Sequence, residues 1–472
     1  MSSYSIKTLV PDKEEMNTET KPNKQRQSQF IALLLLTSCV VIAMSCLSRE
    51  ESNPFYLGGI QINEPDHDEW VSVLKDVGMN TVSVTVYARQ GIWSSDNIWW
   101  DEKDEAVVSE IRTAKEEGMK VVLIPRVTLD HYFEENRFLW HGMTMPASDT
   151  LLTNWFKWYT VFVDKWAQVA EEEDVDVMAI GSELRMLSAT MPVTAMPDLE
   201  AYYLSPEKQQ EYISDRMHYS DQIPPEDLWV RGKATNYETL ENYLEDEVAT
   251  KSQWANIVAC TAADDPLKAI NERRAFILQK WYALIDKVRG SYSGKLTYAA
   301  NFDNYHNVKF WDKLDMIGIN AYFKLREFAT TIDQDSLSSE LESSWNQVFA
   351  DIAEFRLAQA LEQSVLFTEL GYIYRENCTI MPWEGFGFSI AYADQRRDLL
   401  VWRNQKIDRT ERKLAVEALH KVNQNHQLLS GILYWKLTTK DYHLPYEPFG
   451  LHLSREQEDP LQAALVRFAD GQ

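Results

Sequence analysis

The sequence predicts an α/β fold: a (β/α)8 TIM barrel with an insertion after its fourth strand and an N-terminal signal or anchor segment. Two observations carry that prediction. From about residue 55 strand and helix signals alternate, and eight strands can be counted. Strands alternating with helices imply parallel βαβ units, and eight of them imply a closed barrel. Two of the strands, Val177–Gly181 and Val365–Thr368, run into a glutamate, and barrels of this kind keep their chemistry at the carboxyl ends of their strands. A doubly wound sheet is the alternative. It lacks a glycine-rich turn after the first strand, because Gly58-Gly59 stands at that strand's start.

The elements follow in order. Leu57–Ile62 reads as the first strand, and Asp66–Val77 as a helix stopped by Gly78. The β-branched run Thr81–Tyr87 is the second strand; the helix Glu102–Glu117 ends at Gly118. Lys120–Pro125 is the third strand, Leu151–Glu172 a long helix, and Val175–Gly181 the fourth strand. Trp155, Trp158, Phe162 and Trp166 recur at helical spacing and read as that helix's buried face. Residues of about 191–256 are polar and carry prolines and acids; they read as an insertion, helical in part, at the rim of the mouth. The alternation then resumes with the helix Arg274–Arg289 and the strands Leu296–Asn301 and Met316–Asn320. Next come the helix Ser344–Gln363, the strand Val365–Glu369 and a helix Asp394–Gln424. The strand Ile432–Lys436 and the helix Pro460–Ala469 close the barrel.

Residues 1–50 stand apart from this pattern, leaving 51–472 for the barrel. Phe30–Leu47 is almost wholly apolar, with Lys21, Lys24 and Arg26 before it and Glu50-Glu51 after it. That charge order places the N-terminus in the cytoplasm and the barrel outside it. A lipoprotein signal ending at Cys39 or Cys46, an uncleaved membrane anchor and a cleaved signal all fit the segment. Each means export, with tethering to a bacterial membrane through this segment alone in the first two.

The chain of 472 residues carries 47 Lys+Arg against 72 Asp+Glu, a formal net charge of −25. Such a chain repels nucleic acid and anionic lipid. Cys260 and Cys378 remain in the folded part, without metal-ligand spacing around them, and the sequence leaves open whether they pair. No cofactor is implied. The 16 Trp and 22 Tyr supply flat rings that stack on sugar faces as well as filling cores.

Paired strand-end carboxylates are what glycosidic bond cleavage requires. One is protonated and serves the leaving oxygen; the other attacks the anomeric carbon, about 5–5.5 Å away when configuration is retained. Glu183 and Glu369 are the candidates. Other residues at strand ends that face the mouth by position are Tyr87, Arg89, Asn301 and Asp303, and Trp93, Trp99 and Trp100 lie in the loop after the second strand.

Acid/base on strand four and nucleophile on strand seven is the layout of the retaining glycoside hydrolases built on this barrel. Within that clan the chain resembles glycoside hydrolase family 113, whose members include β-mannanases. Ile180-Gly181-Ser182-Glu183-Leu184 resembles the acid/base motif, Gly318-Ile319-Asn320-Ala321-Tyr322 the sixth-strand motif, Thr368-Glu369-Leu370-Gly371-Tyr372 with Pro382-Trp383 the nucleophile strand and its loop, and Tyr434-Trp435-Lys436 the eighth strand. The resemblance covers roughly residues 55–470 without the insertion. It implies Glu183 as acid/base and Glu369 as nucleophile, with Tyr322 donating to Glu369 and Trp435 under the sugar. Trp383 and Asn320 are further substrate-contact candidates by the same resemblance, Asn320 bonding either sugar or loop backbone; Ser182 and Arg126 are candidates at positions that depart from it, Arg126 either donating to a sugar hydroxyl or pairing with one of the acids. Three positions depart from the pattern. Ser182 stands where many clan members carry Asn, Ile124-Pro125-Arg126 where the family tends to Lys-Pro-His, and Trp140-His141-Gly142 where it has Trp-x-Gly. The run Gly181–Arg185 also resembles the barrel domain of gene transfer agent tail proteins. The expected activity is retaining hydrolysis of a β-linked glycan, mannan-like or other. A non-catalytic carbohydrate-binding or cell-envelope scaffold and a transglycosylase are the alternatives. Oligomeric state is not legible.

Overall fold

The computed structural model describes residues 55–101, 104–188, 202–220, 228–231, 240–329, 332–383, 388–390, 398–402, 406–456 and 459–470. The chain divides into two units, Met1–Asn53 and Pro54–Gln472. The first, with the expected signal or anchor segment, lies outside the described residues. Among the described residues no helix is long and apolar enough to cross a membrane.

The second unit is a closed parallel barrel. Its strands are β1 (Tyr56–Gln61), β2 (Thr81–Gln90), β3 (Lys120–Leu129), β4 (Val177–Ser182), β5 (Lys295–Asn301), β6 (Met316–Asn320), β7 (Ser364–Leu370) and β8 (Leu429–Thr438). Each pairs in parallel with its neighbours in this order, and β1 closes the ring by pairing with both β2 and β8. Closure explains Gly58. A Cβ there would stand 1.6 Å from the Thr81 carbonyl oxygen on β2, so the two strands can meet only at a glycine.

Period-two alternation sorts the side chains. Tyr56, Val122, Ile124, Val177, Ala179, Met316, Leu366 and Leu433 form a cluster of their own inside the ring. Their strand neighbours Leu123, Met178, Ile317, Phe367 and Ile432 join the larger core between strands and helices. The helices begin where side chains cap them. Asp66, Ser148, Asp265 and Asp333 accept backbone N–H bonds at the starts of His67–Asp76, Asp149–Glu172, Pro266–Arg289 and Gln334–Ala358. The last two helices therefore start eight and ten residues before the apolar periodicity becomes visible. Gly78 and Gly118 follow the helices His67–Asp76 and Glu105–Glu116 with φ of +93° and +73°, the left-handed stop expected of them.

Two expectations need correction. Trp158 is 46% exposed, whereas Trp155, Tyr159, Phe162 and Trp166 are buried; Trp158 sits roughly 60° off the stripe those four define. The predicted helix Asp394–Gln424 is in fact the strand Asp398–Trp402 followed by the helix Thr410–His426. That strand exists through a distant partner: it pairs antiparallel with Leu228–Arg231 of the insertion and with Phe388–Ile390. The loop tryptophans after the second strand read equally as platforms for outer sugars or as structure; Trp93 is buried in the core, and Trp100 packs its ring on Phe162.

The insertion contributes the helices Pro206–Ser220 and Leu240–Val258, which gather Tyr203, Ile213, Tyr243, Leu244 and Val248 into a small core. It also reaches the loop after β3. Trp254 Nε1 donates to the Met143 carbonyl at 2.8 Å, and the rings of Tyr243 and Phe138 meet edge to face. The Cys260 and Cys378 thiols are both free.

Candidate active site

Alternation brings three of the expected residues into the mouth. Arg126 continues the inward series Val122, Ile124 on β3; Asn320 continues Met316, Gly318 on β6; Trp435 follows Leu433 on β8. The same rule would send Glu369 outward with Phe367. A β-bulge prevents it. Ile319 pairs with Phe367 but Asn320 with Glu369, so β7 carries one extra residue at Thr368 and the carboxylate turns inward. The β4 strand does the same just before the other carboxylate. Ala179 pairs with Thr297 and Ser182 with Ala299, again one residue extra on the carboxylate-bearing strand. Glu183 itself has φ of +56°, a conformation uncommon for a residue with a Cβ, held by its N–H on the Ala299 carbonyl at 2.9 Å.

Glu369 is 2% exposed and receives three donors. Arg126 pairs its Nη2 with Oε1, Asn320 Nδ2 donates to Oε1 at 3.0 Å, and the Tyr322 hydroxyl donates to Oε2 at 2.6 Å. Thr368 Oγ1 donates to Asn320 Oδ1 at 2.8 Å, which fixes the amide with its nitrogen toward the carboxylate. Arg126 is shared. Its Nη1 lies 3.7 Å from Glu183 Oε2, and its guanidinium sits 4.9 Å from the centre of the Trp435 ring. The Trp435–Lys436 peptide is cis.

Glu183 has a further partner: His141 Nε2 is 2.8 Å from its Oε2. His141 opens a short 3-10 turn, His141–Met143, in the loop after β3. The glycine beside it leaves room for the Trp140 ring, which a Cβ on Gly142 would meet at 2.1 Å. Sequence reading missed His141 as a site residue. Its place in the Trp-x-Gly turn was the available signal.

Electrostatics separates the two carboxyls. Burial pushes both up. At Glu183 the His141 hydrogen bond and charge, Arg126 and Asn320 outweigh it and bring the carboxyl down to about 2. At Glu369 burial and the neighbouring Glu183 charge win over Arg126 and Tyr322, and the carboxyl stands above its ordinary value. The two carboxyls are thus displaced opposite to the expected roles, Glu183 downward and Glu369 upward.

The remaining predicted residues are placed differently. Ser182 is fully buried at the end of β4, and its hydroxyl has no hydrogen-bond partner among the described residues. Trp383 stacks on Phe302 after β5, with ring centres 5.1 Å apart, rather than on the carboxylate cluster. Asp303 pairs with Arg185, Asn301 is buried, and Tyr87 is exposed. Among the described residues no group of three or more His, Cys, Asp or Glu side chains could hold a metal ion.

The match to known families agrees with this geometry. The profile of Glycoside Hydrolase Family 113 matches residues 61–191 and 269–442. The chain belongs to this family, and the protein is a glycoside hydrolase. The gap in the match falls on the insertion. Solved structures of GH113 mannanases share the fold. The GH113 β-mannanase AaManA from Alicyclobacillus acidocaldarius, solved with ManMIm, is 15% identical, with a TM-score of 0.53 over 88% of this chain and 97% of the other. A GH113 β-1,4-mannanase is 14% identical, with a TM-score of 0.53 over 89% of this chain and all of the other. No curated protein matches the chain.

Proposed function

We propose that this GH113 barrel hydrolyses β-linked, mannan-type glycans with retention of configuration, Glu369 acting as nucleophile and Glu183 as acid/base. The observation that carries the assignment is the donor set on Glu369: Arg126, Asn320 and Tyr322 all bond to its ionised form and aim it. Glu183, at the end of β4, protonates the glycosidic oxygen while Glu369 attacks the anomeric carbon; Glu183 then takes a proton from water as the glycosyl-enzyme is opened. Trp435 offers its ring to the reacting sugar. The mannan-type substrate is taken from the GH113 mannanases that share the fold. We further propose, from the charges flanking Phe30–Leu47, that the barrel acts outside the cytoplasmic membrane, tethered by that segment.

The test is reducing-end release from a panel of β-linked glycans by the wild type and Glu369→Gln. Release from a β-1,4-mannan that disappears in the folded variant supports the reading. Equal release by both proteins sinks it.

A further inference from the structure

His141 approaches the acid/base residue from the Trp-x-Gly turn of the loop after β3, 42 residues away in sequence. Several independent features hold it there. Asn136, fully buried, donates to the Gly91 and Asp130 carbonyls at 2.7 and 2.9 Å and accepts from Trp93 N–H at 2.9 Å, tying the loop to the end of β2. Trp140 sets its ring edge-on to the imidazole. From the other side the insertion clamps the loop through Trp254 on Met143, Tyr243 on Phe138 and Asp246 on Arg137. The imidazole and carboxyl side chains are 25% and 16% exposed, enough for a sugar oxygen to reach them and little enough to keep bulk water from screening the pair.

We propose that His141 and Glu183 share one proton, so that the imidazole, rather than the carboxyl alone, sets the alkaline limit of the reaction. This rests on the proposed role of Glu183. With the proton on Nε2, Glu183 is a carboxylate bonded to an imidazolium. With the proton on the carboxyl, the imidazole is neutral and Glu183 is the acid that bond cleavage needs. The hydroxyl then turns about its C–O bond from the imidazole to the glycosidic oxygen. That oxygen takes the proton as its bond to the anomeric carbon breaks and the bond to Glu369 forms. In the second half, water gives its proton to Glu183 as its oxygen replaces Glu369, and the pair regains the one proton it started with.

The other groups facing the pair are fixed in kind. Arg126 comes from β3, Tyr298 from β5, Asn320 and Tyr322 from β6, and Glu369 from β7; Tyr87 acts on Arg126 from β2. Of these only Glu369 is a carboxyl. Burial pushes the Tyr298 and Tyr322 phenols up, away from the carboxyl range, and the 2.8 Å contact makes His141 and Glu183 one coupled unit for a proton.

The test begins without substrate. The full chain, labelled with 15N-histidine, is titrated by NMR as wild type and Glu183→Gln, with His141→Gln to assign the resonance. The proposal expects the His141 midpoint to fall by about one pH unit or more in Glu183→Gln, a tenfold change in proton affinity. An unchanged midpoint overturns it. The kinetic arm follows kcat/KM against pH on β-1,4-mannooligosaccharide. His141→Gln keeps a donor for Glu183 but cannot carry the proton, so the alkaline limb should move about one unit or more toward acid. A limb that stays in place while the plateau drops would mean that His141 only positions the carboxyl, and that too overturns the proposal. Glu183→Gln in the same assay separates the two readings. If it hydrolyses the oligosaccharide as the wild type does, the acid/base assignment fails whatever the NMR shows.

Discussion

The Tyr322 hydroxyl donates to Glu369 Oε2 at 2.6 Å, from the loop that follows β6 to the bulged end of β7. The bond favours the ionised carboxyl and leaves the other oxygen to Arg126 and Asn320. Removing it with Tyr322→Phe deletes one hydrogen bond to a charged group, worth about 1.5–3 kcal/mol. Steady-state kinetics should show kcat lowered about ten- to a hundredfold with KM little changed and the circular dichroism spectrum intact. A kcat within twofold of the wild type would mean that the bond does not serve the reaction.

Arg126 holds Glu369 and Glu183 at once, and its charge lowers both carboxyls. In the proposed reaction Glu369 attacks as a carboxylate. Arg126→Gln takes away a lowering influence, so the carboxyl rises further and the acid limb of kcat/KM moves toward neutral pH. The expected displacement is at least half a pH unit, read from a pH–rate profile. A shift in the acid direction would contradict the electrostatic account.

Glu110 tests the electrostatics away from the site. It is 5% exposed and accepts from Gln61 Nε2 and Trp70 Nε1, both at 3.1 Å. Burial pushes its carboxyl from 4.5 up to about 7, against the pull of those two donors. The folded state therefore binds the proton more tightly than the unfolded chain. Its stabilising contribution is present below pH 4.5 and is lost as pH rises through about 7, a change of about 3 kcal/mol. Denaturant unfolding of wild type and Glu110→Gln should show the wild type losing ground to the variant between pH 4.5 and 8. A constant difference between the two would rule out the shift.

The insertion should matter to catalysis through the loop it clamps. Trp254→Phe keeps the ring in the core and removes only the bond to Met143. Activity should fall several-fold while thermal stability drops by roughly the 1 kcal/mol of one neutral hydrogen bond. Unaltered activity in the destabilised variant would limit the insertion to a structural part.

Much of this was legible in the chain. The eight strands follow from runs of β-branched and apolar residues punctuated by Gly78 and Gly118, and Arg126, Asn320 and Trp435 fall into the mouth by counting in twos from inward neighbours. Glu369 does not follow from that count. It reaches the site through a bulge, which depends on the register against β6 and leaves no local sequence mark. His141 was hidden for a related reason: its bond to Glu183 spans 42 residues and needs a loop shaped by Asn136, Gly142 and the insertion. The strand Asp398–Trp402 read as helix because one of the two strands it pairs with lies in the insertion, far away in sequence. Local patterns gave the barrel; register shifts and distant loops gave the chemistry its final aim.

The central claim is a retaining displacement at Glu369. Proton NMR of the anomeric signals during the first minutes of β-1,4-mannooligosaccharide hydrolysis tests it most directly. The account predicts that the β-anomer appears first and mutarotates afterwards, and that Glu369→Gln yields neither anomer. The α-anomer appearing first would contradict it.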